Sequence, residues 1–281
     1  MVSARNAGLQ PQELALTIAG AHVREPGTLV WSGGFVALLR EFGFSTEASR
    51  AALARLVQRG LLAREMAGRR ALYTLTPKAL AVLDRGDRRI FSFARSESPE
   101  RVWTALWHTI PQGLRAERAR FATGLRFLGF GSVQDATWVA AHDREAEVLE
   151  LASELDIQPY LAILIGRTSE RLQTGVLVAE AWDLAGVADR YEQFLADYGE
   201  LRRAGARRAL TPTEAFVTRT LMLHQFRAFP FLDPELPGPA AGVTRLRQRM
   251  VALFDLVYGS LEDAAAEHFR AVAQPAFAVR A

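Results

Sequence analysis

Arginine carries most of the chemistry this chain offers. Between Ser45 and Gly60, Arg50, Arg55 and Arg59 recur among short side chains. Ser45 is suited to cap a helix and Gly60 to end one, so the stretch predicts a helix of about four turns. At 100° per residue, Ser49, Ala52, Leu53, Leu56 and Val57 share one face. The opposite face carries Glu47, Ala51, Ala54, Arg55 and Gln58, with Arg50 and Arg59 along its flanks. Short alanines ringed by guanidinium groups let a helix backbone approach phosphates and base edges closely. For this helix taken alone, a basic face held in water is an equal reading. The candidate contacts to double-stranded DNA are Ser45, Thr46, Arg50, Ala51, Ala54, Arg55, Gln58 and Arg59.

The next fifteen residues, Leu61 to Leu75, read as two short strands about a tip containing Gly68. Arg69 and Arg70 lie at that tip and join the candidate contacts. A helix with a basic outer face followed by a hairpin with a basic tip is the winged helix-turn-helix arrangement. There the helix enters the major groove and the wing holds the neighbouring backbone. The combination favours DNA over the solvated face.

Composition agrees with that placement. Residues 1–100 hold 14 Lys+Arg against 9 Asp+Glu, whereas the remainder holds 20 against 22. The positive excess therefore sits with the predicted helix and wing. Lys78 is the sole lysine, and arginine suits bidentate contacts to phosphate and guanine. The absence of cysteine excludes disulfides, thiolate metal sites and a cysteine nucleophile. No apolar run reaches membrane-span length and no signal-peptide pattern opens the chain, so a cytoplasmic protein with no membrane partner is expected.

The elements that must position these residues follow from periodicity. At 281 residues with 49% hydrophobic composition, the chain can build two or three cores. Residues 1–10 read as a tail and Pro11 to Val23 as a first helix. Val30, Trp31 and Ser32 suggest a short strand, Gly33-Gly34 a turn, and Phe35 to Glu41 a second helix. Thr76-Pro77 opens a further helix towards Phe93, and Ser96 to Pro99 is a linker. Arg101 to Ile110 then reads as a strand, Leu114 to Leu128 as a helix and Thr137 to Ala140 as a strand, with a fainter one near Val133. Asp143 caps a helix to Leu155, and Tyr160 to Ile165 reads as a buried strand. That succession suggests a small ferredoxin-like domain. From Asp183 onward the pattern is helical. It includes a capping box at Thr211-Pro212-Thr213-Glu214, a proline-punctuated loop from Phe229 to Pro237, and one final helix from Val243 to Val272. The expected fold class is α+β. A winged helix-turn-helix occupies 1–95, a ferredoxin-like (Cas2-like) α+β domain 100–180 and a helical C-terminal domain 181–281.

Enzyme chemistry has little to stand on. His22 falls on an apolar stripe and reads as a core residue. His108, His142, His224 and His268 lack the spacing of a metal site. No G-x-S-x-G, P-loop or G-x-G-x-x-G occurs, so neither a catalytic residue nor a cofactor is expected. Trp103, Trp107, Trp138 and Trp182 read either as the lining of a ligand pocket or as core aromatics. Arg202, Arg203, Arg207 and Arg208 are suited to ligand phosphates or to water alike.

Several short motifs, in order and spacing, resemble the PaaX family of bacterial repressors. They are Ala48 to Val57 with Arg59-Gly60, Gly68-Arg69-Arg70 with Tyr73, Leu75-Thr76-Pro77 and Leu128-Gly129-Phe130-Gly131. Thr137-Trp138-Val139, Ala181-Trp182-Asp183-Leu184, His224, Arg227 and Asp233-Pro234-Glu235-Leu236-Pro237 complete the set. The resemblance implies a repressor, usually a homodimer on an inverted-repeat operator, released by an aryl-CoA thioester such as phenylacetyl-CoA. Release by a free aromatic acid, or a regulator with no ligand, are the alternatives. Trp103, Trp107, Trp182, His224 and Arg227 are the candidate effector contacts. Two departures stand out. Ala51 and Ala54 replace the Thr and Ser frequent in the family, and Pro239 to Gly242 replaces its Trp-Pro-Gly. The operator and the acyl group therefore need not be the family's own. The central part also resembles Cas2-like nucleases, but no carboxylate occurs from Arg101 to Gln112 to hold their metal, so it is read as a dimerisation and coupling element.

Overall fold

Pro11 supplies the fixed φ that suits a helix start, and α1 runs Pro11–His22. The computed structural model describes residues 9–25, 27–95, 102–169, 174–236 and 243–274. The predicted tail up to residue 8, the linker Ser96 to Pro99 and the Pro239 to Gly242 segment lie outside them. After α1 come β1 (Val30–Trp31), α2 (Ser32–Glu41), α3 (Thr46–Gln58), β2 (Leu62–Ala67), β3 (Arg70–Leu75) and α4 (Pro77–Ser92). The middle of the chain forms β4 (Trp103–His108), α5 (Arg115–Phe127), β5 (Gly131–Gln134), β6 (Thr137–Ala140), α6 (Glu145–Glu154) and β7 (Leu161–Gly166). Helices follow: α7 (Thr174–Ala181), α8 (Leu184–Tyr198), α9 (Ala204–Arg208), α10 (Pro212–Phe226), α11 (Phe229–Leu232), α12 (Val243–Ser260) and α13 (Glu262–Ala273).

Contacts group the chain into two units that cut across the three consecutive domains suggested by the sequence. One comprises residues 1–88, 198–226 and 253–281, the other 89–197 and 227–252. In the first, β1, β3 and β2 form a three-stranded antiparallel sheet beside α1, α2 and α3, the order expected of a winged helix. Its core joins Leu14, Ile18, Phe35, Leu39, Leu53 and Leu56 to Phe216, Leu221 and Phe269 from α10 and α13. Gly33-Gly34, read as a turn, instead lies in the first turn of α2, and Ser32 is helical rather than in a strand. A Cβ on Gly34 would lie 2.3 Å from the carbonyl oxygen of Val272 and 2.7 Å from the Cα of Ala273. Glycine is needed there because the backbone of α13 rests on α2.

The second unit contains a four-stranded antiparallel sheet of order β5-β6-β4-β7. With α5 after β4 and α6 after β6, this is the ferredoxin-like topology predicted, and the faint strand near Val133 is β5. Leu106 and Trp138 on one face of the sheet pack with Phe121 and Leu125 of α5 and Val148 and Ala152 of α6. Val139, Ala105 and Val133 on the other meet Val178, Ala181 and Trp182. Alternation along each strand separates the two layers. The strand predicted to be buried, β7, is the sheet edge, where Leu164 is 60% exposed and Ile165 38%. Its apolar run matches an interior strand, and only the strand order reveals the edge. Three helical details also differ. α7 was not anticipated, α11 interrupts the proline-punctuated loop, and the single predicted terminal helix is two, broken at Leu261.

Two buried carboxylates tie the second unit together. Asp233, 1% exposed, accepts two bonds from Arg247 of α12, at 2.6 and 2.8 Å, and one from the Tyr191 hydroxyl of α8 at 2.5 Å. Its Oδ1 also accepts the Glu235 N–H at 2.7 Å. Glu235 pairs with Arg89 of α4 and accepts the Ala94 N–H at 2.7 Å. Arg144 reaches Glu235 at 3.8 Å, and the Glu235 carbonyl bonds His142 at 3.0 Å. Arg89 also donates to the Phe127 carbonyl at the end of α5. Burial alone pushes the Glu235 carboxyl up, but Arg89, the Ala94 N–H and Arg144 outweigh it and hold the carboxyl below its ordinary range. Glu235 adopts φ +54°, a left-handed value a side chain avoids unless its surroundings hold it there. Replacing Asp233 with Ala leaves Arg247 buried without its partner. A loss of about 3–5 kcal/mol in unfolding free energy is expected, measured by urea denaturation.

Candidate nucleic-acid interface

The rotation of α3 about its axis is set by its inner face. Ser49, Ala52, Leu53 and Leu56 are buried, and the Ser49 hydroxyl donates to the Ser45 carbonyl at 2.8 Å. Ser45 caps the helix, its hydroxyl accepting the Ala48 N–H at 3.1 Å. That oxygen is therefore engaged by the helix itself. Glu47, Arg50, Ala51, Ala54, Arg55, Gln58 and Arg59 are exposed and Thr46 is half-buried, so the face read from the sequence is the face presented. Arg55 Nε donates to Gln12 Oε1 at 3.2 Å, which braces it against α1. Lys78 Nζ donates to the Arg59 carbonyl at 3.1 Å, placing another cation at the helix C-terminus. Backbone N–H at the helix start, helped by the Ser45 hydroxyl, holds the Glu47 carboxyl below its usual range.

The hairpin is in register from Leu62 opposite Leu75 to Ala67 opposite Arg70. Gly68 turns it at φ +59°, and Arg69 and Arg70 are exposed at the tip as expected. Arg64 and Met66, both exposed, were not singled out from sequence. Met66 is 58% exposed, with Arg64 Nη2 3.8 Å from its sulfur. Residues 62, 64 and 66 share one face of β2, so alternation from buried Leu62 would turn Arg64 and Met66 inward, and no local signal in the sequence marks them as outward. Helix face and wing thus offer guanidinium groups and a small apolar surface. That chemistry binds phosphate and reads base edges.

The candidate effector residues do not form one cluster within either unit. Trp103 and Trp182 meet, with ring centroids 6.2 Å apart. Trp182 is 9% exposed and belongs to the packed layer beneath the sheet, while Trp107 is 41% exposed on β4. An open groove of about 630 Å³ runs beside Trp182, lined by Val178, Ala181 and Leu184. His224 belongs to the first unit, with Nδ1 3.4 Å from the Thr17 hydroxyl. Arg227 follows α10 in the second unit and is half-buried. Of the four arginines suited to ligand phosphates, Arg207 donates to the Leu201 and Arg202 carbonyls and Arg203 pairs with Glu200. Both are occupied by local structure.

The remaining histidines have structural partners. His22 stacks on Phe269 at 4.7 Å between centroids and leans on Phe216. Burial and then Arg219 lower its pKa to about 4, so it is neutral near pH 7. His268 bonds Glu41 at 2.8 Å and Thr213 at 3.2 Å, and His108 sits edge-on to Phe121.

Comparison with known proteins covers nearly the whole chain. Residues 10–79 match the family model described as PaaX-like protein, 96–178 the PaaX protein central Cas2-like domain and 182–271 the PaaX-like protein C-terminal domain. The transcriptional repressor PaaX of Escherichia coli (strain K12) is 28% identical over 231 residues, 80% of this chain and 72% of the relative. Among solved structures, the uncharacterized protein Rv0674 from Mycobacterium tuberculosis superposes with a TM-score of 0.52 at 22% identity, covering 91% of this chain and 96% of that one. That likeness speaks for the fold.

Replacing Arg55 with Ala is expected to weaken binding to a specific duplex by about 1–3 kcal/mol. Replacing Arg69 and Arg70 together should weaken all duplexes and lower the slope of log affinity against log salt by about two. Fluorescence anisotropy across a salt series measures both. Wild-type affinity in Arg50→Ala/Arg55→Ala would remove α3 from the interface.

Proposed function

The chain belongs to the PaaX family, and we infer that it is a transcriptional repressor that holds double-stranded DNA through α3 and the wing. The observation that carries this reading is the outward face of α3, where Arg50, Ala51, Ala54 and Arg55 are all exposed and the opposite face is fixed in a core. The similarity to a transcriptional repressor supports the direction of control. A repressor acts by occupying DNA, so the protein is a regulator and not an enzyme. Among the described residues no helix is long and apolar enough to cross a membrane.

One winged helix reads only a few base pairs. Specific affinity therefore calls for a homodimer on an inverted repeat, with half-sites one helical turn apart or a multiple of it. Sedimentation is expected to give a dimer at micromolar concentration. A monomer both free and on DNA would contradict it.

An aryl-CoA thioester is the proposed effector. Its aromatic acyl group would seat in the groove beside Trp182, near the Trp103 ring. Release of DNA requires the ligand to bind the low-affinity conformation better. A 100-fold loss of operator affinity needs about 2.7 kcal/mol of such coupling. In a gel-shift titration, phenylacetyl-CoA or benzoyl-CoA should release the DNA while free CoA and the free acids leave it bound. Release by a free aromatic acid and by no thioester would reject the CoA reading and keep the switch. No release by any of them would favour an unswitched factor.

A further inference from the structure

The six residues Arg50-Ala51-Ala52-Leu53-Ala54-Arg55 of α3 follow the pattern Arg-Ala-x-x-Ala-Arg, and Arg115-Ala116-Glu117-Arg118-Ala119-Arg120 at the start of α5 follows it again. The two segments are exposed alike. Both arginines and both alanines of the pattern face solvent in each helix. The residue six positions after the first arginine is buried in each, Leu56 at 1% exposure and Phe121 at 0%. The inner face of α5, Phe121 with Leu125, is pinned against the central sheet and fixes which side points out.

We propose that the outward face of α5 is a second surface for duplex DNA, holding backbone phosphates through Arg115 and Arg120. This rests on the reading of α3 as a DNA contact and extends it to the second unit. Ala116, Ala119 and Thr123 are exposed at the centre of the α5 face, so the helix backbone can approach a phosphate surface as α3 can. Glu117 is half-buried towards the inner side, so no carboxylate lies on the face itself. Arg126, also exposed, lies 5.3 Å over the Trp138 ring and is held there. Among the described residues neither Arg115 nor Arg120 has a hydrogen-bond or ion-pair partner, so both guanidinium groups are available to a ligand. They stand about 7.5 Å apart along the helix axis. From Arg115 to Thr123 the face carries no large apolar side chain, and Phe127 at the end of the helix is half-buried against Phe231, whereas a helix that binds lipid surfaces needs a row of such residues to bury. A polyanion with accessible phosphates is the partner this chemistry fits. Phosphate contacts carry no sequence information, so the role of α5 is affinity and register rather than base reading.

The full-length protein and a fluorescent mixed-sequence duplex of about 40 base pairs test this by anisotropy between 50 and 200 mM salt. Arg115→Ala/Arg120→Ala is expected to lower the slope of log affinity against log salt by about two per bound chain. The affinity change across that salt range then shrinks about tenfold. Arg115→Lys/Arg120→Lys keeps the charge and should keep the wild-type slope. Ala119→Glu sets a carboxylate at the centre of the face and should weaken binding at every salt concentration. Alanine is the stronger helix former, so the double variant keeps α5, and an unchanged melting temperature verifies it. Wild-type affinity and slope in both the alanine pair and Ala119→Glu would overturn the proposal and leave α5 a solvated face. Arg50→Ala/Arg55→Ala is measured beside them. If it loses binding while the α5 variants do not, the α3 reading stands and only this inference falls. If the α5 variants weaken binding and the α3 pair does not, α5 is the contact and the α3 reading falls. A wild-type protein that binds no duplex overturns both.

Discussion

Burying two carboxylates within three residues of chain forces much of the second unit to be built around them. Asp233 and Glu235 are nearly inaccessible to water, and an unpaired buried carboxylate is too costly to tolerate. Each must find cations and donors, and those come from elements far apart in sequence: Arg89, Ala94, Arg144, Tyr191 and Arg247. A buried ion pair adds little net stability over an apolar replacement of the same volume. Its effect here is geometric, because any arrangement that leaves one member unpaired is strongly penalised. The left-handed backbone at Glu235 is one consequence, and the meeting of the ends of α4 and α5 through Arg89 is another.

Close approach of backbones plays the same organising part in the first unit. Gly34 lets the end of α13 rest directly on α2, and Phe216 and Phe269 complete the core beneath the helix-turn-helix. The helix proposed to contact DNA is thus mounted on C-terminal helices as well as on its own N-terminal neighbours. A recognition surface needs that rigidity. Arginine side chains reach phosphates and bases in register only if the helix beneath them does not rotate, and the burial of Ser49, Leu53 and Leu56 prevents rotation.

The α3 and α5 faces show one solution used on two unrelated scaffolds, a helix-turn-helix and a ferredoxin-like sheet. In each, large apolar residues hold the inner side while two alanines between two arginines face outward. Small residues would let the backbone come close to a phosphate surface, and guanidinium groups would supply the charge. Acidic residues elsewhere keep the net charge of the whole chain at +3, so the positive charge is local to such faces and the protein as a whole is not a polycation.

Much of this was legible from sequence alone, because the signals are local. Helix caps at Ser45, Thr76 and Thr211, the 3.6-residue period of α3, the alternation of the hairpin and the βαββαβ order of the centre all depend on neighbours a few residues away. The exposed face of α3 followed from the same periodicity, while the family was legible as a resemblance carried by short motifs in order. Tertiary structure decided whatever depends on residues distant in sequence. Gly33-Gly34 looks like a turn until α13 arrives beside it, and β7 looks like an interior strand until the strand order puts it at the edge. The Asp233-Pro234-Glu235 segment looks like a loop until arginines from α4 and α12 reach its carboxylates. The C-terminal helices look like one domain by their period, yet they divide between two cores. Periodicity states that a face is apolar, and only packing chooses which core it enters.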